Sequence, residues 1–205
     1  MIGIIDYGSG NIQAIQNIYE AKQIPFIISK EPKDLSVADG FILAGVGSFD
    51  VTMKLLRSKG WLEFLNQSVL VDKKPVLGIC VGMQVMGDYS EEGSEAGLGW
   101  IPGSVKKMAV PADIRPSLPH LGWNEVSTKK KTEFLSIKNN SYFYFLHSYY
   151  FETSDPHNIW LTSEYHGEFA SGINKGSIYG VQFHPEKSHD SGVDLLCSFA
   201  RSVLC

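Results

Sequence analysis

Cys80 stands in Gly78-Ile79-Cys80-Val81-Gly82, directly after the apolar run Pro75-Val76-Leu77 and before a stretch with helical character. This is the layout of a nucleophile elbow, a sharp strand-to-helix turn, with sulfur in place of the usual serine oxygen. Glycines on both sides let the backbone bend and leave room for a substrate. A helix start behind the sulfur favours the thiolate and aims backbone N–H groups at a developing oxyanion. The plainer alternative is a buried core cysteine.

A thiol nucleophile needs a base, and the base needs an orienting group. Gly180-Val181-Gln182-Phe183-His184-Pro185-Glu186 offers both at the end of a predicted strand. Residues two apart on an extended segment point the same way, so His184 and Glu186 are expected to face Cys80, with the carboxylate behind the imidazole. The ring would help generate the thiolate and then protonate a leaving amine, while the carboxylate fixes the tautomer. An incidental His-x-Glu on a surface loop is the alternative. His184 and His189 have no third ligand at convincing spacing, so no metal site and no cofactor is expected. His147 lies in an aromatic strand and reads as a hydrogen-bonded core or pocket residue, whereas His120, His157 and His166 belong to no recognisable partner motif.

Two glycine loops accompany the elbow. Gly8-Ser9-Gly10 has the start of a dinucleotide fingerprint, but Gln13 occupies the third glycine position, and a tight strand-to-helix turn is the simpler meaning. Gly45-Val46-Gly47 follows another predicted strand. Paired glycines permit unusual peptide orientations, so this loop either presents an N–H to an oxyanion or is an ordinary connection.

The chain that must position these groups has 205 residues, 43% of them hydrophobic, enough for one compact domain over 1–205. A net charge of -4 and a pI near 5.8 offer no basic surface to nucleic acid. No run of about 18 apolar residues occurs, and Met1-Ile2-Gly3-Ile4-Ile5-Asp6 reads as a strand rather than a signal peptide, so no membrane partner is expected. Cys80, Cys197 and Cys205 lack metal spacing and suit a reducing cytoplasm.

Short β-rich runs at 2–5, 26–28, 41–43 and 76–79 alternate with helical patterns through Ile12, Ile15 and Tyr19, then over 53–57 and 61–70. Uncharged strands separated by helices predict right-handed crossovers and a mainly parallel, flavodoxin-like sheet with helices on both faces. Sites on such sheets form at the carboxyl ends of the strands, where Tyr7-Gly8, Gly45-Val46-Gly47 and Cys80 all fall. Segments 142–151, 159–165, 169–173 and 177–183 are β-rich and read as antiparallel additions. A closing helix is expected from Gly192, with Leu196, Phe199, Ala200 and Val203 on one face. The fold class is therefore α/β.

The combined pattern resembles the class I, triad-type glutamine amidotransferases. Leu77-Gly78-Ile79-Cys80-Val81-Gly82-Met83-Gln84 and Gly180-Val181-Gln182-Phe183-His184-Pro185-Glu186 match that family's two signature blocks. More narrowly, the chain is similar to the glutaminase subunits of imidazole glycerol phosphate synthases. That likeness rests on Asp6-Tyr7-Gly8-Ser9-Gly10-Asn11, Gly45-Val46-Gly47-Ser48-Phe49, Pro119-His120-Leu121-Gly122-Trp123-Asn124, His147-Ser148-Tyr149 and Lys187-Ser188. It implies a Cys80–His184–Glu186 triad that hydrolyses glutamine to glutamate and ammonia through a thioester, without a cofactor. It also implies an oxyanion hole from Val46, Gly47 and Val81, and a glutamine pocket from Gly45, Gln84, Glu92, Ser148 and Tyr149. The implied partner is a (βα)8-barrel cyclase met by Asn11, Trp123 and Lys187 in a heterodimer, which spends the ammonia in histidine biosynthesis.

Two residues depart from the family pattern. Ala44 replaces a common proline, which frees one φ angle before the glycine loop, and Val81 replaces the usual leucine after the nucleophile. Neither removes a functional atom. Gly97-Leu98-Gly99-Trp100-Ile101 resembles paralogous glutaminases that feed ammonia to the amination of surface-glycan sugars, a rival pathway for the same chemistry. Another thiol hydrolase or a non-catalytic module on the same fold are the remaining alternatives.

Overall fold

Apolar runs become parallel strands here because crossover connections carry the chain back across the sheet, the amphipathic helices Ile12–Ala21 after the first run and Phe49–Ser58 after the third among them. The computed structural model describes residues 1–110, 118–133 and 135–204. In chain order it contains β1 (Ile2–Ile5), α1 (Ile12–Ala21), β2 (Phe26–Ser29), β3 (Gly40–Gly45), α2 (Phe49–Ser58), α3 (Trp61–Asn66), β4 (Val76–Cys80) and α4 (Val81–Gln84). There follow β5 (Tyr89–Ser90), β6 (Gly103–Lys107), β7 (His120–Thr128), β8 (Ser141–His147), β9 (Tyr149–Thr153), β10 (Ile159–Glu164), β11 (Glu168–Lys175), β12 (Ile178–Val181) and α5 (His189–Leu204). Cys205 lies outside the described residues.

The main sheet runs β2-β1-β3-β4-β12-β11-β10-β7-β8. Its first five strands are parallel and follow the flavodoxin order. Every residue of β1, β3, β4 and β12 is buried, as strands covered on both faces are. From β11 onward the sheet is antiparallel, and a ribbon of β5, β6 and β9 joins it through the Ala170–Phe151 pair.

Several expectations change in detail. Segment 177–183 is not one of the antiparallel additions alone: β12 pairs antiparallel with β11 on one side but completes the parallel core against β4 on the other. Segment 142–151 is two strands, since β8 pairs with β7 while β9 pairs with β6 and β11. Aromatic residues flank Ser148 on both sides, so the sequence contains no sign of the break. The helix after Cys80 is a single turn, because Gly87 lies where a side chain would strike the Phe151 ring at 2.7 Å and the chain turns into β5. The helical run over 61–70 is α3 followed by a π-turn at Gln67–Val71. The closing helix begins at His189, three positions before Gly192.

Tight backbone crossings hold the elbow. A Cβ on Gly82 would stand 1.8 Å from the Leu43 carbonyl oxygen, and one on Gly78 would stand 2.5 Å from the Gly82 carbonyl oxygen. Gly82→Ala must therefore push α4 off β3, and we expect a loss of roughly 1–3 kcal/mol. Urea unfolding monitored by circular dichroism checks this; an unchanged midpoint would show that the crossing has slack.

Candidate active site

β3, β4 and β12 end together, with Gly45 opposite Cys80 and Val181 opposite Ile79. Cys80 has φ 56 and ψ -113, outside the ordinary regions for a residue with a side chain. Such a conformation costs on the order of 1–3 kcal/mol and persists only where packing imposes it. Here the imposition is the close approach of Gly78 and Gly82 to their neighbours, and its result is a sulfur lifted to the rim of the sheet.

His184 and Glu186 reach that rim by a turn rather than by the extended alternation expected from the sequence. Pro185–Lys187 is a 3-10 turn, begun by the fixed φ of Pro185. The turn is pinned to β8: the His184 N–H donates to the Tyr144 carbonyl at 2.8 Å, and the Tyr144 N–H donates to Ser188 Oγ at 3.0 Å. Ser188 Oγ in turn donates to the His184 carbonyl at 2.6 Å. Behind it, Gly192 admits the Pro185 carbonyl, which a Cβ would meet at 1.8 Å.

The turn folds the Glu186 carboxylate against the ring, with His184 Nδ1 2.9 Å from Glu186 Oε1 and both side chains at most 3% exposed. Burial pulls the His184 ring toward neutrality, but hydrogen bonds to Cys80 and Glu186, and the negative charge of both, outweigh it and raise His184 to about 10. At neutral pH the ring is an imidazolium held between a sulfur and a carboxylate. Removing one member of a buried pair of this kind costs roughly 3–5 kcal/mol.

In front of the sulfur lies a cleft of about 210 Å³. It is lined by Val46, Gly47, Cys80, Val81, Gln84, Glu92, Ser148, Tyr149 and His184, together with Leu146, His147 and Lys187. Glu186 sits behind His184 rather than on the wall. Gly45 is also off the wall: a Cβ there would meet Tyr7 Oη at 2.5 Å and the Gly82 nitrogen at 3.1 Å, so its bare backbone serves packing. Glu92 Oε2 accepts the Phe49 N–H at 2.8 Å and thereby caps α2. Val81 opens α4, where backbone N–H groups have no partner within the helix.

The Val46 peptide is engaged elsewhere. Its N–H donates to Ser9 Oγ at 3.2 Å, and its carbonyl accepts the Ser9 hydroxyl at 2.7 Å. In this conformation the Val46 N–H faces Ser9, not the sulfur. Gly47, at φ +96, is the joint about which the peptide can turn.

Two groups were not anticipated as part of the site. His120 Nδ1 lies 2.9 Å from His147 Nε2, and Gln182 Nε2 lies 3.7 Å from Cys80 Sγ. Burial lowers His147 to about 3 and His120 to about 4, so both rings are neutral. The pattern that could have found Gln182 is its place two residues before His184; His120 has only its location opposite His147 on a paired strand. Among the described residues, no three His, Cys, Asp or Glu side chains gather as a metal ligand set.

A family model for class-I glutamine amidotransferase matches residues 4–200. The chain belongs to the class I glutamine amidotransferases. It is 45% identical over 98% of its length, and 99% of the relative's, to the imidazole glycerol phosphate synthase subunit HisH of Leptospira borgpetersenii. Identity is 44% to the HisH subunit of Bdellovibrio bacteriovorus, over 98% of this chain and 99% of that one. By these relatives the amidotransferase falls within the HisH family. Its fold is shared with a crystal structure of a glutamine amidotransferase at TM-score 0.76 and 13% identity, covering 100% of this chain and 99% of that chain. A glutamine amidotransferase from Thermotoga maritima superposes at TM-score 0.65 and 19% identity, covering 99% of this chain and 95% of the other.

Of the three residues expected to meet a partner, only Lys187 lines the amidotransferase cleft. Trp123 is 46% exposed on β7, stacked on His189 at 4.9 Å. Lys187 places Nζ 5.5 Å from the Tyr144 ring and also lines the cleft. Asn11 precedes α1, which packs on the Pro185–Lys187 turn. Gly97-Leu98-Gly99-Trp100-Ile101 is explained by packing: a Cβ on Gly97 would meet the Gly87 carbonyl oxygen at 2.1 Å, and Trp100 Nε1 donates to Asn66 Oδ1 at 2.8 Å.

Because Cys80 and Glu186 together raise His184, replacing Cys80 by Ala must lower its titration midpoint. We expect the His184 ring resonances to titrate near pH 10 in the parent and clearly lower in Cys80→Ala, followed by two-dimensional NMR. A midpoint that stays put would mean that the sulfur does not interact with the ring.

Proposed function

We propose that the chain is the glutaminase subunit of a cytoplasmic imidazole glycerol phosphate synthase, with Cys80, His184 and Glu186 as its catalytic triad. The buried His184–Glu186 pair facing a sulfur on a strained elbow is the observation that carries the chemistry. The Cys80 thiolate attacks the glutamine carboxamide carbon, and the oxygen takes up the charge opposite the Val81 N–H. His184 gives its proton to the nitrogen, ammonia departs and a thioester remains. His184, now neutral, takes a proton from water as the water attacks the thioester, and glutamate leaves with Cys80 restored as thiolate.

The pocket chemistry suits the α-carbon end of glutamine. Both hydrogens of Gln84 Nε2 are used, on the Tyr149 carbonyl at 3.1 Å and Gln182 Oε1 at 3.0 Å, so Gln84 presents only its carbonyl oxygen to a ligand. That oxygen and Glu92 suit an α-ammonium, while Ser148 and Tyr149 close the same end of the cleft.

Ammonia in neutral water is mostly ammonium and is no nucleophile, so the product must pass directly to its acceptor. A docking surface adjoins the cleft. On the outward face of β7 and β8, Leu121, Trp123, Tyr142 and Leu146 are all exposed, and Leu146 also lines the cleft. Exposed apolar residues gathered in this way mark a contact surface. The partner proposed for it is a (βα)8-barrel cyclase that converts a phosphorylated ribonucleotide into imidazole glycerol phosphate and aminoimidazole-carboxamide ribonucleotide, with Asn11, Trp123 and Lys187 in the interface. The packing role of the Gly97–Ile101 segment leaves nothing that favours the sugar-amination alternative.

Glutamate release from glutamine, alone and with the cyclase plus its ribonucleotide, tests this reading. Release should rise when the loaded cyclase is present, and Cys80→Ala should abolish it while leaving docking intact; release by Cys80→Ala would refute the assigned nucleophile. Growth of a histidine auxotroph carrying this chain with its cyclase tests the pathway.

The Ser9 clamp on Val46 predicts a low resting rate, because it withholds one oxyanion donor. Ser9→Ala should raise release without the cyclase by about 5- to 150-fold, the range of an ordinary coupling energy. A basal rate that does not rise would show that the Ser9 bonds are not what holds the loop.

A further inference from the structure

The sulfur of Cys80 has a second polar neighbour besides His184. Gln182 is fully buried, and its Nε2 lies 3.7 Å from Cys80 Sγ. Which end of that carboxamide faces the sulfur is decided by the Tyr149 carbonyl and Gln84, and the histidines that share that carbonyl have determined donor directions too. His147 Nδ1 lies 2.8 Å from the Tyr149 carbonyl oxygen, which only accepts, so Nδ1 carries the ring proton. His147 Nε2 must then accept from His120 Nδ1–H at 2.9 Å, and His120 Nε2 must accept from the Asn124 amide at 3.2 Å. The Tyr149 carbonyl also receives Gln84 Nε2 at 3.1 Å, which identifies the end of Gln84 that faces inward. The second hydrogen of that nitrogen goes to Gln182 at 3.0 Å, so the atom of Gln182 facing Gln84 is the oxygen. Its nitrogen is left on the side of the sulfur. Turning Gln182 over would set two NH2 groups against each other and an oxygen against an anionic sulfur, both in a buried site.

We propose that Gln182 is a catalytic residue of this site, a fixed N–H donor to the Cys80 thiolate. This rests on Cys80 being the nucleophile of the function proposed above. The donor approaches from the side of Gln84 while His184 approaches from its own turn, so the sulfur is held between two donors. It stabilises the thiolate before attack and again as the thioester breaks, when the electron pair returns to sulfur. The positioning residue is Gln84, turned by the Tyr149 carbonyl, which also accepts from His147 at the end of the Asn124–His120–His147 chain.

The test is the pH profile of Cys80 alkylation by iodoacetamide, with the adduct located by peptide mass spectrometry. Alkylation needs no glutamine turnover, so its outcome is separate from that of the glutaminase assay, in which Cys80→Ala decides the nucleophile. Gln182→Met keeps the side-chain shape and loses the donor. Its alkylation midpoint should move up by about one pH unit, the expected effect of one hydrogen bond to a charged sulfur. Gln182→Glu, which sets a carboxylate against the sulfur, should move it further. A residue that merely packs would lower thermal stability and leave the midpoint where it was, and that result overturns the proposal. If Gln182→Met does not fold, Gln84→Met releases the orientation of Gln182 without touching the sulfur. An upward midpoint there supports the donor role, and an unmoved one overturns it.

Discussion

β12 lies parallel to β4 with Gly180 opposite Gly78 and Val181 opposite Ile79, and that register delivers the chemistry. The two strands are separated by about a hundred residues of chain, yet they end at the same level on the same edge. Cys80 leaves β4 at its final position, and Gln182, His184 and Glu186 follow β12 within five. A shift of one residue would turn alternate side chains to the opposite face and separate sulfur from imidazole. The glycines opposite each other are part of the same constraint. A Cβ on Gly180 would meet Met83 at 2.7 Å, and one on Gly78 would meet the Gly82 carbonyl, so the short helix behind the nucleophile packs onto both strands only because both are bare there.

The electrostatics of the cleft follow from this placement. Three histidines lie close together, yet only one is charged. His184 is hydrogen-bonded to Cys80 and Glu186 and is raised, while His147 and His120, without a carboxylate, are lowered by burial. The positive charge of His184 itself contributes to keeping His147 neutral. The neutral pair can therefore act as a directed chain of donors and acceptors, a role that a second imidazolium would destroy. Charge is concentrated where the reaction changes it, and polar order surrounds it.

Much of this was legible in the sequence where local physics decides the outcome. Flanking glycines around Cys80 announce a bend whatever the rest of the chain does, and buried apolar runs between helical patterns announce parallel strands. The position of β12 was less legible because pairing with β4 on one side and β11 on the other is a tertiary choice, with no signature in four apolar residues. The break at Ser148 was hidden because β-favouring aromatic residues continue on both sides of it. His184 and Glu186 were correctly grouped, but by the wrong local geometry: Pro185 makes a turn, and the turn places the carboxylate behind the ring. Gln182 and His120 escaped notice for a different reason. Their value lies in donor direction, which only the surrounding acceptors define, and those come from four separate segments of chain.

The same cleft is bounded by two features that are not yet arranged for turnover. On one side Val46 is turned toward Ser9 in a loop whose Gly10 has no room for a side chain, since a Cβ would lie 2.6 Å from the Ala44 carbonyl oxygen. On the other, the exposed face of β7 and β8 ends at Leu146 on the cleft wall. α1 connects the two, since it begins just after the Ser9 loop and packs on the turn that bears Glu186 and Lys187. A partner seated on the hairpin and on Lys187 would thus touch a turn that packs on α1, the helix that follows the Ser9 loop. The His184–Glu186 pair needs no such help, because a buried bond within this chain already aligns it. Under the proposed function, what a partner would supply is the rotation of the one peptide that Ser9 now holds.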